Sequence, residues 1–92
     1  MIHAFVLIDA VPARIADLAA ELAEVEGVPE VYSVSGEADL VAVVRVRRHE
    51  DLADVVTRRI STHPGITRTR TMVAFKAYSS EELLASWDLG LD

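Results

Sequence analysis

The 92 residues include 15 acidic and 9 basic side chains, giving a formal net charge of −6, and 51% of the residues are hydrophobic. This length fits one small domain, and the acidic balance argues against direct nucleic-acid binding by the domain as a whole. The sequence has no cysteine, which excludes a disulfide framework and thiolate chemistry. Its first residues lack the pattern of a signal peptide, and no apolar run reaches the roughly 20 residues of a membrane span. We therefore expect a cytoplasmic protein that makes no membrane contact.

The hydrophobic content is high for so short a chain. A domain of this size buries only roughly 60–65% of the surface that its unfolded form exposes. With half of the residues hydrophobic, apolar surface is left on the outside, and self-association is the simplest way to cover it.

The first predicted element is a strand over Ile2–Ile8, which is apolar on both of its alternating faces. This pattern is typical of a strand inside a sheet. Pro12 then suits the first position of a helix, and apolar side chains recur at helical spacing as far as Val25. Gly27 is predicted to end this helix. The helix contributes an inward stripe that consists of Ile15, Leu18, Leu22 and Val25.

Two further strands are predicted on either side of a short polar link. Val31–Ser35 alternates apolar and polar residues, as in a strand with one buried face. Leu40–Val46 is almost continuously apolar, as in a strand that is covered on both faces. The link Gly36–Asp39 contains glycine, which favours a hairpin. We interpret this unit as the central hairpin of the fold and its link as the best candidate site.

The second half of the chain repeats the helix-then-strand pattern. A second helix is predicted to begin at Glu50 and Asp51, where negative charge is favourable, and to end before Pro64. An outer strand follows over Ile66–Ala77, with alternating threonine and arginine in its first half. A short third helix comes next, with Ser79 or Ser80 as its N-cap. The inward stripe of the second helix consists of Leu52, Val55, Val56 and Ile60.

The predicted order is β-α-β-β-α-β followed by a terminal helix. Right-handed crossovers make this an α+β fold, a ferredoxin-like βαββαβ sandwich. Its four-stranded antiparallel sheet carries two helices on one face, and a short C-terminal helix is added. Residues 1–77 form the domain in this prediction, and residues 78–92 form a helical extension. Because two helices cover only one face of a sheet that is apolar on both, we expect a second copy to cover the other face.

With this order set, three stretches carry a resemblance to a known family: AFVLIDAVP at the start, VPEVYSVSGEADLVAVVRV at the hairpin and HPGITRTRTMVAF at the last strand. Over Ile2–Phe75 the chain resembles the effector domain of the Lrp/AsnC regulator family, also called the domain for regulation of amino-acid metabolism. Full members carry an N-terminal helix-turn-helix, so the sequence looks like a stand-alone version of the effector domain that lacks its own DNA-binding domain. The resemblance implies dimers that form through the sheet face and assemble into a ring of dimers.

The resemblance also implies an effector site. Amino-acid effectors of the family bind between dimers, near the turn that links the second and third strands. By position, the residues near a ligand are Ser35, Gly36, Glu37, Ala38 and Asp39, with Thr69 and Thr71 of the last strand as further candidates.

The residue types of the turn suit this chemistry. Gly36 permits a positive φ and a close backbone approach, exposed amides can take an α-carboxylate, and Glu37 or Asp39 can take an α-amino group. The alternative is that Gly36 and Asp39 serve only to shape the turn.

No catalytic residue, metal site or cofactor is predicted. His3, His49 and His63 share no ligand spacing, and no nucleophile–base pair is apparent. We interpret the chain as a non-enzymatic, amino-acid-responsive regulatory and oligomerisation domain, with a full-length family regulator as a further candidate partner. Two alternatives stay open: a small dimeric α+β barrel enzyme of the monooxygenase type, and a structural oligomer without a ligand.

Overall fold

The computed structural model describes residues 1–78 and 80. The predicted third helix lies outside this part of the chain, as does the 78–92 extension apart from Tyr78 and Ser80. The bounds of the elements are β1 Ile2–Ala10, α1 Ile15–Ala23, β2 Glu30–Ser33, β3 Leu40–Val46, α2 His49–Asp54 and β4 Ile66–Val73.

The strands form one antiparallel four-stranded sheet in the order β2-β3-β1-β4. This confirms the predicted α+β ferredoxin-like class. The interpretation of the β2–β3 hairpin as the central unit is wrong, because β2 is an edge strand of four residues that pairs only with β3. The inner pair is β1 and β3, with β1 joined to β3 from Ile2–Val46 to Ile8–Leu40. These two strands are the ones with apolar residues on both faces, which favours an inner position.

Alternation along β1 separates the two faces of the sheet. Ala4, Val6 and Ile8 are buried and pack in one cluster with Leu18 and Leu22 of α1. Every buried side chain among residues 1–78 and 80 is apolar. Fully burying a leucine or isoleucine side chain stabilises a fold by about 1.5–3 kcal/mol, so this layer anchors both helices to the sheet. The second helical segment joins the cluster through Leu52, Val55 and Ile60.

The opposite side of the sheet, which we call the open sheet face, has no helix over it. By strand register its apolar centre consists of Phe5, Leu7, Tyr32, Val41, Val43 and Met72. Phe5, Tyr32 and Met72 are 38%, 50% and 54% exposed. The two helices therefore cover one face only, as predicted.

The helices differ from the prediction in their detail. A 3₁₀ turn over Pro12–Arg14 precedes α1, and a π-helix over Val55–Ile60 continues α2. The N–H of Ser61 donates to the carbonyl of Val56 at 2.9 Å, which is the i to i+5 spacing of a π-turn. Apolar side chains at this spacing form an inward stripe on an α-helix and on a π-helix alike. The sequence pattern therefore does not distinguish the two helix types. Among residues 1–78 and 80, no helix has the length and apolar character needed to cross a membrane.

Two glycines with positive φ offer a matched test of the backbone. Gly27 has φ +91° and Gly36 has φ +108°. A Cβ at position 27 would also lie 3.1 Å from Val46 Cγ1, whereas a Cβ at position 36 would meet open space. We expect Gly36→Ala to cost about 1–2 kcal/mol of unfolding free energy, the strain of a left-handed backbone. Gly27→Ala should cost more because of crowding. Urea unfolding measures both, and equal losses would contradict the close packing at Gly27.

Candidate functional site

The link between β2 and β3 is a turn over residues 34–39, which lies against the end of β1. The N–H of Val34 donates to the carbonyl of Asp39 at 3.1 Å, and the N–H of Asp39 donates to the carbonyl of Ile8 at 2.9 Å. Gly36 stands in the left-handed region, which glycine enters without strain. The 34–39 turn is therefore closed at its base and attached to an inner strand.

The carboxylate of Asp39 completes this attachment. Its Oδ2 accepts the N–H of Ala10 at 2.9 Å, beyond the last β1–β3 pair, Ile8–Leu40. Asp39 therefore supplies an acceptor on the β3 side of β1, at a position where the β1–β3 ladder has already ended. This position agrees with the alternative weighed for Asp39 in the sequence, that it shapes the turn.

The apex of the turn presents unused hydrogen-bonding groups. The Glu37 side chain is exposed and makes no hydrogen bond or ion pair with residues 1–78 or 80. The same holds for the backbone N–H groups of Ser35, Gly36, Glu37 and Ala38. Ala38 is only 7% exposed, whereas Ser35, Gly36 and Glu37 are exposed. The turn thus offers backbone donors beside a free carboxylate.

Arg70 reaches this apex from β4, on the far side of β1. Its Nη2 donates to the carbonyl of Glu37 at 3.0 Å, and its guanidinium pairs with Asp9 at 3.3 Å and 3.5 Å. Arg70 lies opposite Leu7 in the strand register, on the open sheet face. The sequence analysis missed this residue, since the threonine–arginine alternation of the strand is typical of a solvated face. An arginine on the strand beside Asp9 becomes a signal only when the strand order is known.

The two threonines of the predicted site lie on the other surface of the sheet. Thr69 is paired with Ile8 and Thr71 with Val6, both of which face the helices. The Thr69 hydroxyl is 3.3 Å from the Ser61 hydroxyl at the end of the π-helix. The structure therefore brings residues 35–39 together in one turn but does not group the threonines with them.

A polar cluster marks the β2 edge of the open sheet face. The Tyr32 hydroxyl donates to Glu30 Oε2, and Arg45 Nη2 lies 3.4 Å from Glu30 Oε1. The hydrogen bond to Glu30, together with the charge of that carboxylate, raises the pKa of Tyr32. The phenol therefore stays a neutral donor at physiological pH.

The histidines lie far apart in the chain, in β1, at the start of α2 and in the loop before β4. His63 contacts the Glu21 carboxylate through Nε2, and its Nδ1 accepts the N–H of Gly65 at 3.3 Å. It thus ties the loop before β4 to α1. In the part of the chain that the structure describes, no group of three or more acidic, histidine or cysteine side chains is placed to hold a metal ion.

The fold is that of a ligand-binding domain. The model of the Lrp/AsnC ligand binding domain matches residues 3–84, and the chain belongs to that family. Two solved structures extend the comparison. TTHA0845 from Thermus thermophilus is 49% identical with a TM-score of 0.82, covering 87% of this chain and 100% of that one. The feast or famine regulatory protein Rv3291c from M. tuberculosis, complexed with L-methionine, is 34% identical with a TM-score of 0.72, covering 88% of this chain and 54% of that one.

The curated relatives are longer proteins. The HTH-type transcriptional regulator FL11 of Pyrococcus abyssi is 32% identical over 75 residues, which are 82% of this chain and 49% of that regulator. This chain therefore spans about half the length of the curated relatives it matches.

The role of Asp39 can be separated from that of a ligand contact. Asp39→Ala leaves the N–H of Ala10 without its acceptor, so we expect a loss of about 1–3 kcal/mol in unfolding free energy. Asp39→Asn keeps an acceptor oxygen and should lose less. Urea unfolding measures both variants. An Asp39→Ala protein as stable as the wild type would contradict the structural role and free Asp39 for a ligand.

Proposed function

We propose that this domain binds an amino acid at the 34–39 turn and converts that binding into a change in the assembly of a transcription regulator. The observation that carries the proposal is the set of unbonded backbone N–H groups beside the free Glu37 carboxylate. Backbone donors suit an α-carboxylate, and a carboxylate suits an α-amino group. Glu37, rather than Asp39, is the amino-group partner in this arrangement because Asp39 already accepts the N–H of Ala10.

The relatives support an amino acid as the ligand class. Rv3291c, whose match covers most of this chain, was solved as a complex with L-methionine. FL11 and LrpA are HTH-type transcriptional regulators, which supports a regulatory role and a place in the cytoplasm. We propose a full-length regulator of this family as a partner of the domain.

The composition of the domain interior favours a regulatory role over a catalytic one. The space between helices and sheet is filled by aliphatic side chains, and no polar or charged residue of the described part is buried. A monooxygenase-type site needs polar groups that point into such a cavity. We infer that the domain works by shifting populations of assembly states, without catalytic residues or a cofactor.

The assembly unit in this proposal is a dimer through the open sheet face. The apolar centre of that face is bordered by charge, with Asp9, Arg68 and Arg70 at one end and Glu30 and Arg45 near β2. An apolar centre with a polar rim is the usual anatomy of a protein interface. A ring of such dimers, with the effector between dimers, is the arrangement we propose for the bound state.

The first test is a thermal-unfolding screen of the wild type against the twenty amino acids. A ligand at about 100 times its dissociation constant adds roughly 2.7 kcal/mol, which raises the Tm of a domain of this size by about ten degrees or more. We expect one or a few amino acids to give this shift. Glu37→Gln should weaken their binding by about tenfold or more, because it removes the charge that pairs with the ammonium group.

Glu24→Gln is the matched control for the Glu37 variant. Glu24 is exposed at the C-cap of α1, outside the turn, and the substitution makes the same change in net charge. Its amino-acid affinity should equal that of the wild type. No shift from any amino acid would contradict the sensor role, and equal losses in the two variants would contradict the assignment of Glu37.

The dimer is tested by placing charge on the open sheet face. Phe5 lies at the apolar centre, opposite Val43 and Met72. Phe5→Glu should shift the protein toward monomer by about tenfold or more in dissociation constant, because a carboxylate at an interface centre is desolvated without a partner. Sedimentation equilibrium measures the mass, and circular dichroism checks that the variant is folded.

Ala16→Glu serves as the control, because Ala16 is exposed on α1 and faces away from the sheet. This variant should sediment like the wild type. Mixed with a full-length family regulator, the wild type should co-sediment while Phe5→Glu should not. A wild-type monomer, or a Phe5→Glu dimer of unchanged strength, would contradict the sheet-face assembly.

A further inference from the structure

The apex of the 34–39 turn makes one hydrogen bond to the rest of the described chain. The bonds at its base join Val34 to Asp39, and Asp39 to Ile8 and Ala10. Between them, the single hydrogen bond is the one from Arg70 to the Glu37 carbonyl, at 3.0 Å. Without Arg70, the segment from Ser35 to Ala38 would have no hydrogen bond to residues 1–78 or 80.

We propose that Arg70 is a positioning residue that holds the apex of the turn in its ligand-binding conformation, with Asp9 orienting the guanidinium. This inference rests on the proposed function, since it concerns the same turn. Arg70 acts on the ligand only through the backbone that it fixes.

The geometry of the Asp9–Arg70 pair supports this role. Nη1 lies 3.3 Å from Asp9 Oδ2 and Nη2 lies 3.5 Å from Asp9 Oδ1, so both amino groups of the fork meet the carboxylate. The side chains are only 30% and 29% exposed, which limits screening by solvent. The same Nη2 also reaches the Glu37 carbonyl. A rigid guanidinium fork serves the carboxylate and the carbonyl together, which a single ammonium group does less well.

The functional value of this contact is pre-organisation. A loop that is ordered before the ligand arrives does not have to lose its freedom on binding, and affinity rises by the cost that is avoided. The backbone N–H groups proposed to receive an α-carboxylate lie in the segment that Arg70 fixes. Loss of Arg70 should therefore weaken ligand binding although no ligand group is removed.

The test compares Arg70→Met with Arg59→Met. Arg59 is exposed on the π-helix, away from the open sheet face, and its side chain makes no hydrogen bond or ion pair with the described residues, so the two variants make the same change in charge. Hydrogen exchange of the peptide that contains the turn, followed by mass spectrometry, reports the protected N–H groups of Val34 and Asp39. Their exchange should be about tenfold faster in Arg70→Met, as for the loss of one charge-assisted hydrogen bond, and unchanged in Arg59→Met.

Amino-acid affinity is the second readout. The dissociation constant of the amino acid found in the thermal screen should rise about tenfold in Arg70→Met and stay unchanged in Arg59→Met. Arg70→Lys keeps the positive charge but lacks the guanidinium fork. Its turn exchange rate and its dissociation constant should therefore lie between those of the wild type and Arg70→Met. Exchange of the β1 amides is the internal reference for global stability.

Each outcome decides a separate point. Unchanged exchange of the turn in Arg70→Met overturns the positioning role, and so does equal acceleration throughout β1. Faster exchange of the turn with unchanged amino-acid affinity overturns its part in binding. A wild type that binds no amino acid overturns the proposed function, while the exchange experiment still decides whether Arg70 holds the turn.

Discussion

The position of β1 between β3 and β4 is the constraint on which the rest of the structure depends. A strand that is paired on both edges can present side chains only above and below the sheet. Ala4, Val6 and Ile8 take the side that faces the helices, so Phe5 and Leu7 must take the other. One face is thereby closed by the helices, and the other has no helix over it.

The same strand decides how the turn is built. At its end the β1–β3 ladder stops at Ile8, and the backbone of Ala10 needs another acceptor. Asp39 satisfies it with a carboxylate oxygen and returns its own N–H to the Ile8 carbonyl. An unpaired N–H at this place would cost about 1–3 kcal/mol. The two acidic residues of the turn thus differ in role: Asp39 accepts a hydrogen bond that stabilises the fold, and Glu37 is exposed.

Local patterns predicted most of the fold because they depend on neighbouring residues alone. Leu40–Val46 has the same bounds in the prediction and in the structure, since its apolar run is bounded by the polar turn before it and by Arg47 and Arg48 after it. The edge position of β2 was not predicted, because strand order is set by pairing across the sheet and not by a strand's own composition.

The candidate site was predictable only in part. Its turn is continuous in sequence, so glycine and acidic residues mark it directly. Arg70 stands 61 residues from Asp9 and 33 from Glu37, and only the sheet brings them together. The orientation of Thr69 and Thr71 depends on the β1–β4 register, which includes a bulge between Asp9 and Ala10. Their part in effector binding stays a prediction.

Arg70 lies where the two parts of the proposed function meet, amino-acid binding at the turn and assembly through the open sheet face. Its guanidinium lies on the open sheet face, at the rim of the proposed dimer contact, while its hydrogen bond fixes the turn. In the proposed dimer, a ligand that stabilises this turn would also stabilise the Asp9–Arg70 rim, and by reciprocity a second copy that orders the rim would favour the liganded turn. Coupling between sites is typically about 1–3 kcal/mol, and one hydrogen bond to a charged group contributes about 1.5–3 kcal/mol. In this proposal one arginine would therefore be enough to link occupancy to assembly, and sedimentation equilibrium with and without the amino acid measures that link.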